Sequence, residues 1–262
     1  MNAYTVRTLL RRQFTALRYS WSLWTLIIVA LFFAVLSPVT ARYMPEMLQA
    51  MVGTEDIPID LSAIPDPTSI DSWTQWASNL SQIVVMIIAI IGGAVISSDV
   101  SKGTIVAILA RPVRRSAVWL TGFVAASTTI LCVLMAATAA EIGGTFLLFS
   151  DVTEPWRPIV ATALYLVFAF SLIAITMAAS SAGANALGAT ATGIGYYGTV
   201  SIASLWPAAR PWSPAGLLSA VAELSSGSTV ETPDLVGSIA STVILTALAI
   251  AVGLYAFNRR EL

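Results

Sequence analysis

Long runs of apolar residues alternate with short polar segments along this chain of 262 residues. A bilayer core about 30 Å thick is crossed by about 20 apolar helical residues, and six runs approach or exceed that length. They are 23–40, 80–96, 117–149, 159–179, 187–205 and 235–257. Each run is continuously apolar, whereas the strands of a membrane barrel alternate in polarity. The pattern predicts an all-α integral membrane protein with six transmembrane helices, forming one domain over residues 1–262.

Three segments outside these runs predict smaller elements. Residues 2–19 alternate apolar and basic positions at helical spacing, which is typical of an amphipathic helix at a membrane interface. Its apolar positions are Val6, Leu9, Leu10, Phe14 and Leu17. Segment 41–79 is polar and acidic, and we expect short helices or an ordered cap there. In segment 207–234, three prolines precede an apolar stretch, which predicts either a re-entrant hairpin or an ordinary surface helix.

Basic residues are distributed unevenly between the two sides that the six runs define. Ten of the 13 Lys and Arg residues lie on one side, which are Arg7, Arg11, Arg12, Arg18, Lys102, Arg111, Arg114, Arg115, Arg259 and Arg260. Eleven of the 14 acidic residues lie on the other side. Because Lys and Arg accumulate in cytoplasmic loops, we expect a multi-pass protein of the cell membrane with both termini in the cytoplasm.

The chain has few residues that could perform catalysis. It contains no histidine and a single cysteine, Cys132. This excludes an internal disulfide, the usual zinc sites and Cys/His nucleophilic pairs. No phosphate-binding G-x-x-x-x-G-K-[ST] motif is present, so any ATP must be bound by another subunit. We therefore expect no catalytic residues, no metal site and no nucleic-acid partner on this chain.

Charge is concentrated in segment 97–119, between the second and third apolar runs. Residues 101–110 contain Ile105, Val106, Ile108 and Leu109 at positions compatible with one helix, and a proline at 112 disfavours helix in the residue before it. The pattern predicts a short amphipathic helix within a cytoplasmic loop at 98–116, followed by a turn and a basic pair. Basic residues are typical of any cytoplasmic loop, but an apolar face exposed to the cytosol indicates a contact surface.

The same loop resembles the first cytoplasmic loop of the permease subunits of type-2 ATP-binding cassette (ABC) exporters. That loop typically contains an acid, Gly-Thr, a short apolar helix with Leu, and Pro-Val-x-Arg. The matching residues are Asp99, Gly103, Thr104, Leu109, Pro112, Val113 and Arg115. The similarity extends over the whole chain. It includes the N-terminal helix, the six spans, Ser213-Pro214 and the basic C-terminal segment 257–262. Asp99 departs from the usual glutamate, and Phe123 stands where a lysine is common.

This resemblance implies a non-catalytic permease subunit of an ATP-driven exporter for an amphipathic or lipid-like substrate, such as a drug, peptide or lipid. The loop would be a coupling helix in a groove of a cytoplasmic ABC ATPase, present in two copies, that binds ATP and Mg²⁺. A second permease chain, expected to be identical, would complete the pathway. The coupling residues would be Asp99, Lys102, Gly103, Thr104, Ile105, Ile108, Leu109, Arg111, Pro112, Val113, Arg114 and Arg115. The apolar ones would transmit force by packing, and the charged ones would orient the contact.

Glu141, in the long third run, allows two interpretations. A carboxyl within the membrane is costly and commonly functional, so Glu141 is a candidate pathway residue. Alternatively, the helix protrudes or bends at Gly143-Gly144, and Glu141 lies at the level of the lipid headgroups. If Glu141 carries protons, the chain is instead a proton-coupled secondary transporter, although no internal repeat is present. A permease-like scaffold that signals without transport also remains open.

Glycines in two of the runs predict close helix packing. Gly188, Gly193, Gly195 and Gly198 lie in the fifth run, and Gly92-Gly93 lie in the second. Small residues let membrane helices approach each other closely. Such faces commonly serve only packing within one chain, but here we expect them to form the contact with a second copy of the chain.

Overall fold

The computed structural model describes residues 3–52, 66–110 and 113–260, without the side chains of residues 3–5, 48–52, 106, 107 and 109. These ranges contain helices and turns, with no strand among them. The α-helices are α1 Ala3–Arg18, α2 Trp21–Val52, α3 Ser69–Asn79, α4 Val85–Ser101, α5 Thr104–Leu109, α6 Arg115–Leu148, α7 Arg157–Ser181, α8 Ala186–Ser204, α9 Ala215–Ser225 and α10 Thr232–Arg259. A π-helix, Leu80–Val84, joins α3 to α4, and a 3-10 helix spans Pro207–Trp212.

Five helical stretches in the described part of the chain are long and apolar enough to cross a membrane. They are Trp21–Met47, Ser69–Ser101, Arg115–Leu148, Arg157–Ser181 and Thr232–Arg259. Helix α8 is also present, but glycine, threonine and tyrosine lower its hydropathy and it is not one of the five. The prediction of an all-α protein with apolar membrane-length helices is confirmed, and a sixth span at α8 stays a prediction.

The bundle has two chemically different ends. One end, which we call the basic end, contains α1, α5 and the last turn of α10, since Arg12 contacts Asp99 and Arg115 contacts Arg260 there. The opposite end, which we call the acidic end, contains α3, α9 and the first turns of α7 and α10, where Arg157 contacts the carbonyl of Leu224.

The core is built around α7, which packs against α4, α6, α8, α9 and α10. Glycines bring these helices together: a side chain at Gly92 or at Gly193 would collide with Thr176 of α7. Gly93 likewise lies against Thr190 of α8. The expectation that Gly92, Gly93 and Gly193 face a second copy is therefore wrong, because they are used within the chain.

Two helices continue further than their apolar runs. Helix α2 passes through Pro38 and Pro45 to Val52, so part of segment 41–79 extends the first helix. Helix α6 runs without interruption to Leu148, and the expected bend at Gly143-Gly144 is wrong. Gly144 instead allows Pro38 of α2 to approach α6 closely.

The segments at the acidic end are packed into the bundle. In α3, Trp73 and Trp76 are almost fully buried. Helix α9 buries Ala215, Leu217 and Val221 and contacts α3, α7, α8 and α10. Helices α3 and α9 therefore belong to the core of this end, and α3 is a short helix of the kind expected in segment 41–79, of which residues 53–65 lie outside the described residues.

Candidate functional site

The charged loop is fastened to the N-terminal helix by an ion pair. Arg12 of α1 donates from Nη1 to Asp99 Oδ2 at 3.0 Å and from Nη2 to Asp99 Oδ1 at 2.7 Å. Asp99 lies in the last turn of α4. The two parallel bonds fix the relative orientation of both groups. We call α1, residues 97–110 and 113–119, and residues 257–260 together the platform.

The turn after α4 explains why glycine and threonine follow the acid. Gly103 has φ +67°, a left-handed conformation that glycine adopts without steric cost. Thr104 then begins α5, and its Oγ1 donates to the carbonyl oxygen of Asp99 at 3.1 Å and to Asp99 Oδ1 at 2.9 Å. Asp99 therefore connects α1, α4 and the start of α5.

The predicted short helix exists as α5, Thr104–Leu109, but its described apolar side chains, Ile105 and Ile108, turn toward the protein. Ile105 is 1% exposed and belongs to the main core, and Ile108 and Val113 pack against that core. The inference that Ile105 is exposed to the cytosol is wrong, because the bundle itself supplies an apolar surface for it. The side chain of Leu109, and both Arg111 and Pro112, lie outside the described residues.

The basic residues after α5 differ in environment. Arg115 Nη1 donates to the carbonyl oxygen of Arg260 at 2.6 Å and to that of Phe257 at 3.3 Å. These bonds satisfy carbonyls at the end of α10, where a positive charge is favourable. Arg114 and Lys102 are exposed instead. Fewer basic side chains of this loop are therefore available to a partner than the sequence indicates, because Arg115 is bound within the chain.

Sequence reasoning missed the role of Arg12 and the buried face of α1. Leu9 and Gln13 are buried and Leu17 packs against the core, whereas Phe14 is 39% exposed. The signal was the i, i+4, i+8 spacing of residues 9, 13 and 17, which places a polar Gln13 in the middle of one face. Gln13 Nε2 has no hydrogen-bond partner among the described residues.

Glu141 lies inside the bundle, facing α3. Its side chain is 0% exposed, and Oε1 accepts hydrogen bonds from Ser72 Oγ at 3.0 Å and from Thr145 Oγ1 at 3.2 Å. Oε2 has no partner among the described residues. Glu141 is therefore shielded from solvent by α3, and its two interpretations, as a pathway residue or as a residue at the level of the lipid headgroups, stay predictions.

Comparison with models of known protein families and with curated proteins finds no match to this chain. The resemblance to ABC permeases therefore rests on the loop residues and the helix order.

Proposed function

We propose that this chain is the membrane subunit of an ATP-driven exporter of the type-2 ABC class, with ATP hydrolysed by a separate cytoplasmic ATPase subunit. In this proposal, two copies of each subunit form the transporter, and an amphipathic or lipid-like substrate moves outward. The chain lies in the cell membrane, and both of its termini are in the cytoplasm. The observation that best supports the proposal is the fastening of the platform by charged side chains.

A coupling element must be stiff, since a loop that only bends would absorb the motion of its partner. Helix α5 is too short to be stable by itself. Ile105 anchors it in the core, the Asp99 bonds tie its start to α1 and α4, and Arg115 ties the following helix to the end of α10. A force applied to α5 is therefore passed to α1, α4, α6 and α10 together.

The exposed basic residues give the platform a charge suited to an acidic partner groove. Lys102 precedes α5 and Arg114 follows it, and both are exposed. Charges at the rim of an interface mainly set orientation and the association rate. Lys102 and Arg114 therefore orient the ATPase subunit on the platform, while Asp99 and Arg115 hold the platform itself together.

Charge reversal at the two exposed residues tests this proposal. We expect Lys102→Glu with Arg114→Glu to fold and insert normally, because neither side chain is buried, but to lose copurification of an ABC ATPase from native membranes. The matched controls are Lys102→Arg with Arg114→Lys, which keeps both charges, and Arg42→Glu, which reverses an exposed charge on α2. Mass spectrometry of the purified complex identifies the subunits.

An untagged preparation of the wild-type chain that transports substrate without an ATPase would overturn the proposal. It would favour the second candidate, a proton-coupled secondary transporter. The observation in favour of that candidate is Glu141, which is fully buried with one carboxyl oxygen unpartnered among the described residues. In that case Glu141→Gln abolishes proton-dependent uptake in vesicles, whereas in an ATP-driven exporter the pH gradient has no effect.

A further inference from the structure

A cavity of about 510 Å³ lies at the acidic end of the bundle. The walls are formed by α3 with the π-helix, by the second half of α8, and by α9. Small-molecule sites in proteins have volumes of about 300–1,000 Å³. The cavity is therefore large enough for the polar part of an amphipathic molecule.

Each wall contributes polar side chains. Gln82 comes from the π-helix, Tyr197 and Ser201 come from α8, and Ser219 and Glu223 come from α9. The Ser201 Oγ atom is shielded from solvent and has no hydrogen-bond partner among the described residues. A few convergent polar groups are typical of ligand pockets. Three converging polar walls therefore indicate a binding site.

The π-helix contributes the polar wall beside α3. A π-turn inserts an extra residue into a helix and is common at functional sites. The Tyr165 hydroxyl donates to the carbonyl oxygen of Leu80, at the start of the π-turn, at 2.8 Å, which stabilises the irregular turn from the side of α7. Ser81 and Gln82 then line the cavity.

One ion pair gives the cavity both signs of charge. Arg210 Nη1 lies 3.3 Å from Glu223 Oε1, and the two side chains are 37% and 39% exposed. Arg210 Nε donates to the carbonyl oxygen of Ser204 at 3.0 Å, which directs the guanidinium toward the cavity wall. Both charges therefore keep accessible hydrogen-bonding positions for a ligand that has one anionic and one cationic group.

Apolar residues lead from the cavity to the surface of the bundle. Leu205 and Leu218 line it, and Leu205 is 79% exposed. Ile202, one turn earlier on α8, is 70% exposed. An alkyl chain can follow this side of α8 while the polar group stays in the cavity.

We propose that this cavity binds a zwitterionic, lipid-like amphipath, with its anionic group on Arg210, its amine on Glu223 and its alkyl chain along Leu205. The role of this site in substrate selection rests on the proposed export function. The binding itself is a property of this chain alone.

Calorimetric titration of the purified full-length chain, in an uncharged alkyl glucoside detergent and without an ATPase, measures this binding. The probes are a lysophosphatidylethanolamine, an alkyl sulfate and free phosphoethanolamine. We expect saturable binding of the lysolipid and at least about tenfold weaker binding of the other two. Because hydrogen bonds to charged groups are strong, Glu223→Gln and Arg210→Gln each weaken lysolipid binding about tenfold.

Two further variants separate binding from folding. Gln82→Leu changes an exposed cavity residue and should weaken binding without changing the unfolding temperature. Asp151→Asn removes a charge at the acidic end outside the cavity wall and should bind like the wild type.

Equal binding by Glu223→Gln, Gln82→Leu and Asp151→Asn, or equal binding of the lysolipid and the alkyl sulfate, would overturn the site. If free phosphoethanolamine binds as tightly as the lysolipid, the alkyl chain contributes nothing, and the proposal that the ligand is amphipathic is overturned. Lysolipid binding by a chain that copurifies with no ATPase leaves the site intact and contradicts only the proposed function.

Discussion

Separating Arg12 from Asp99 should release α1 from the platform. We consider Arg12→Gln, Asp99→Asn and the double variant. Asparagine at 99 keeps an oxygen that accepts from Thr104, so this substitution removes the charge and leaves that bond to the start of α5. Together with the wild type, the three variants form a double-mutant cycle. The cycle measures the interaction free energy between the side chains of Arg12 and Asp99.

The expected magnitude follows from the geometry and burial of the pair. An exposed ion pair contributes about 0–1 kcal/mol, and hydrogen bonds to charged groups contribute about 1.5–3 kcal/mol. Here the two bonds measure 2.7 and 3.0 Å, and the side chains of Arg12 and Asp99 are 32% and 13% exposed. A mostly buried carboxylate paired with a guanidinium that is 32% exposed lies between these two cases. We therefore expect a coupling of about 1–2 kcal/mol between the pair.

Hydrogen exchange of the purified protein measures this coupling locally. If α1 opens by leaving the platform, each single variant raises the exchange rate of the α1 amides about 5- to 30-fold. The double variant exchanges no faster than Asp99→Asn. Amides of α10 provide an internal reference, and Arg11→Gln, an exposed neighbour on the same helix, provides the matched control. If Arg12→Gln leaves α1 exchange at the wild-type rate, the ion pair does not hold the platform together.

Three other substitutions probe the bundle by thermal unfolding in detergent. Gly92→Val should cost about 1–3 kcal/mol by overpacking against Thr176, whereas Gly195→Ala, with no atom within 4 Å of the added carbon, should be tolerated; equal losses would contradict the packing of α4 on α7. Glu141→Gln should change the midpoint little, since the amide oxygen keeps both hydroxyl bonds and the other carboxyl oxygen has no partner to lose among the described residues; a large drop would reveal a polar partner of that second oxygen. Arg157→Gln should cost about 2–3 kcal/mol because the carbonyls of Leu224 in α9 and of Ser228 in the segment after it lose their donor, and an unchanged midpoint would show that α9 is held otherwise.

Local patterns in the sequence determined the helices and the loop. Apolar runs of membrane length specify helices because their backbone groups must be hydrogen-bonded within one segment. In the described part of the structure, five of the six predicted spans are helices long and apolar enough to cross a membrane. The short helix in the loop was also predicted, but the prediction ran it through Gly103, where the structure has a left-handed turn before α5. Helix ends were less predictable, since α2 continues through two prolines.

Only the tertiary structure decided what each face contacts. An apolar residue such as Ile105 fits the protein's own core as well as a partner's groove, because burial of apolar surface is not directional. The same holds for the glycine at 92, which serves α7 and not a second copy. Polar contacts across long separations were equally hidden: Arg12 and Asp99 are 87 residues apart, and Ser72 and Glu141 are 69 residues apart. No periodicity encodes such pairs, because they exist only after the helices have packed.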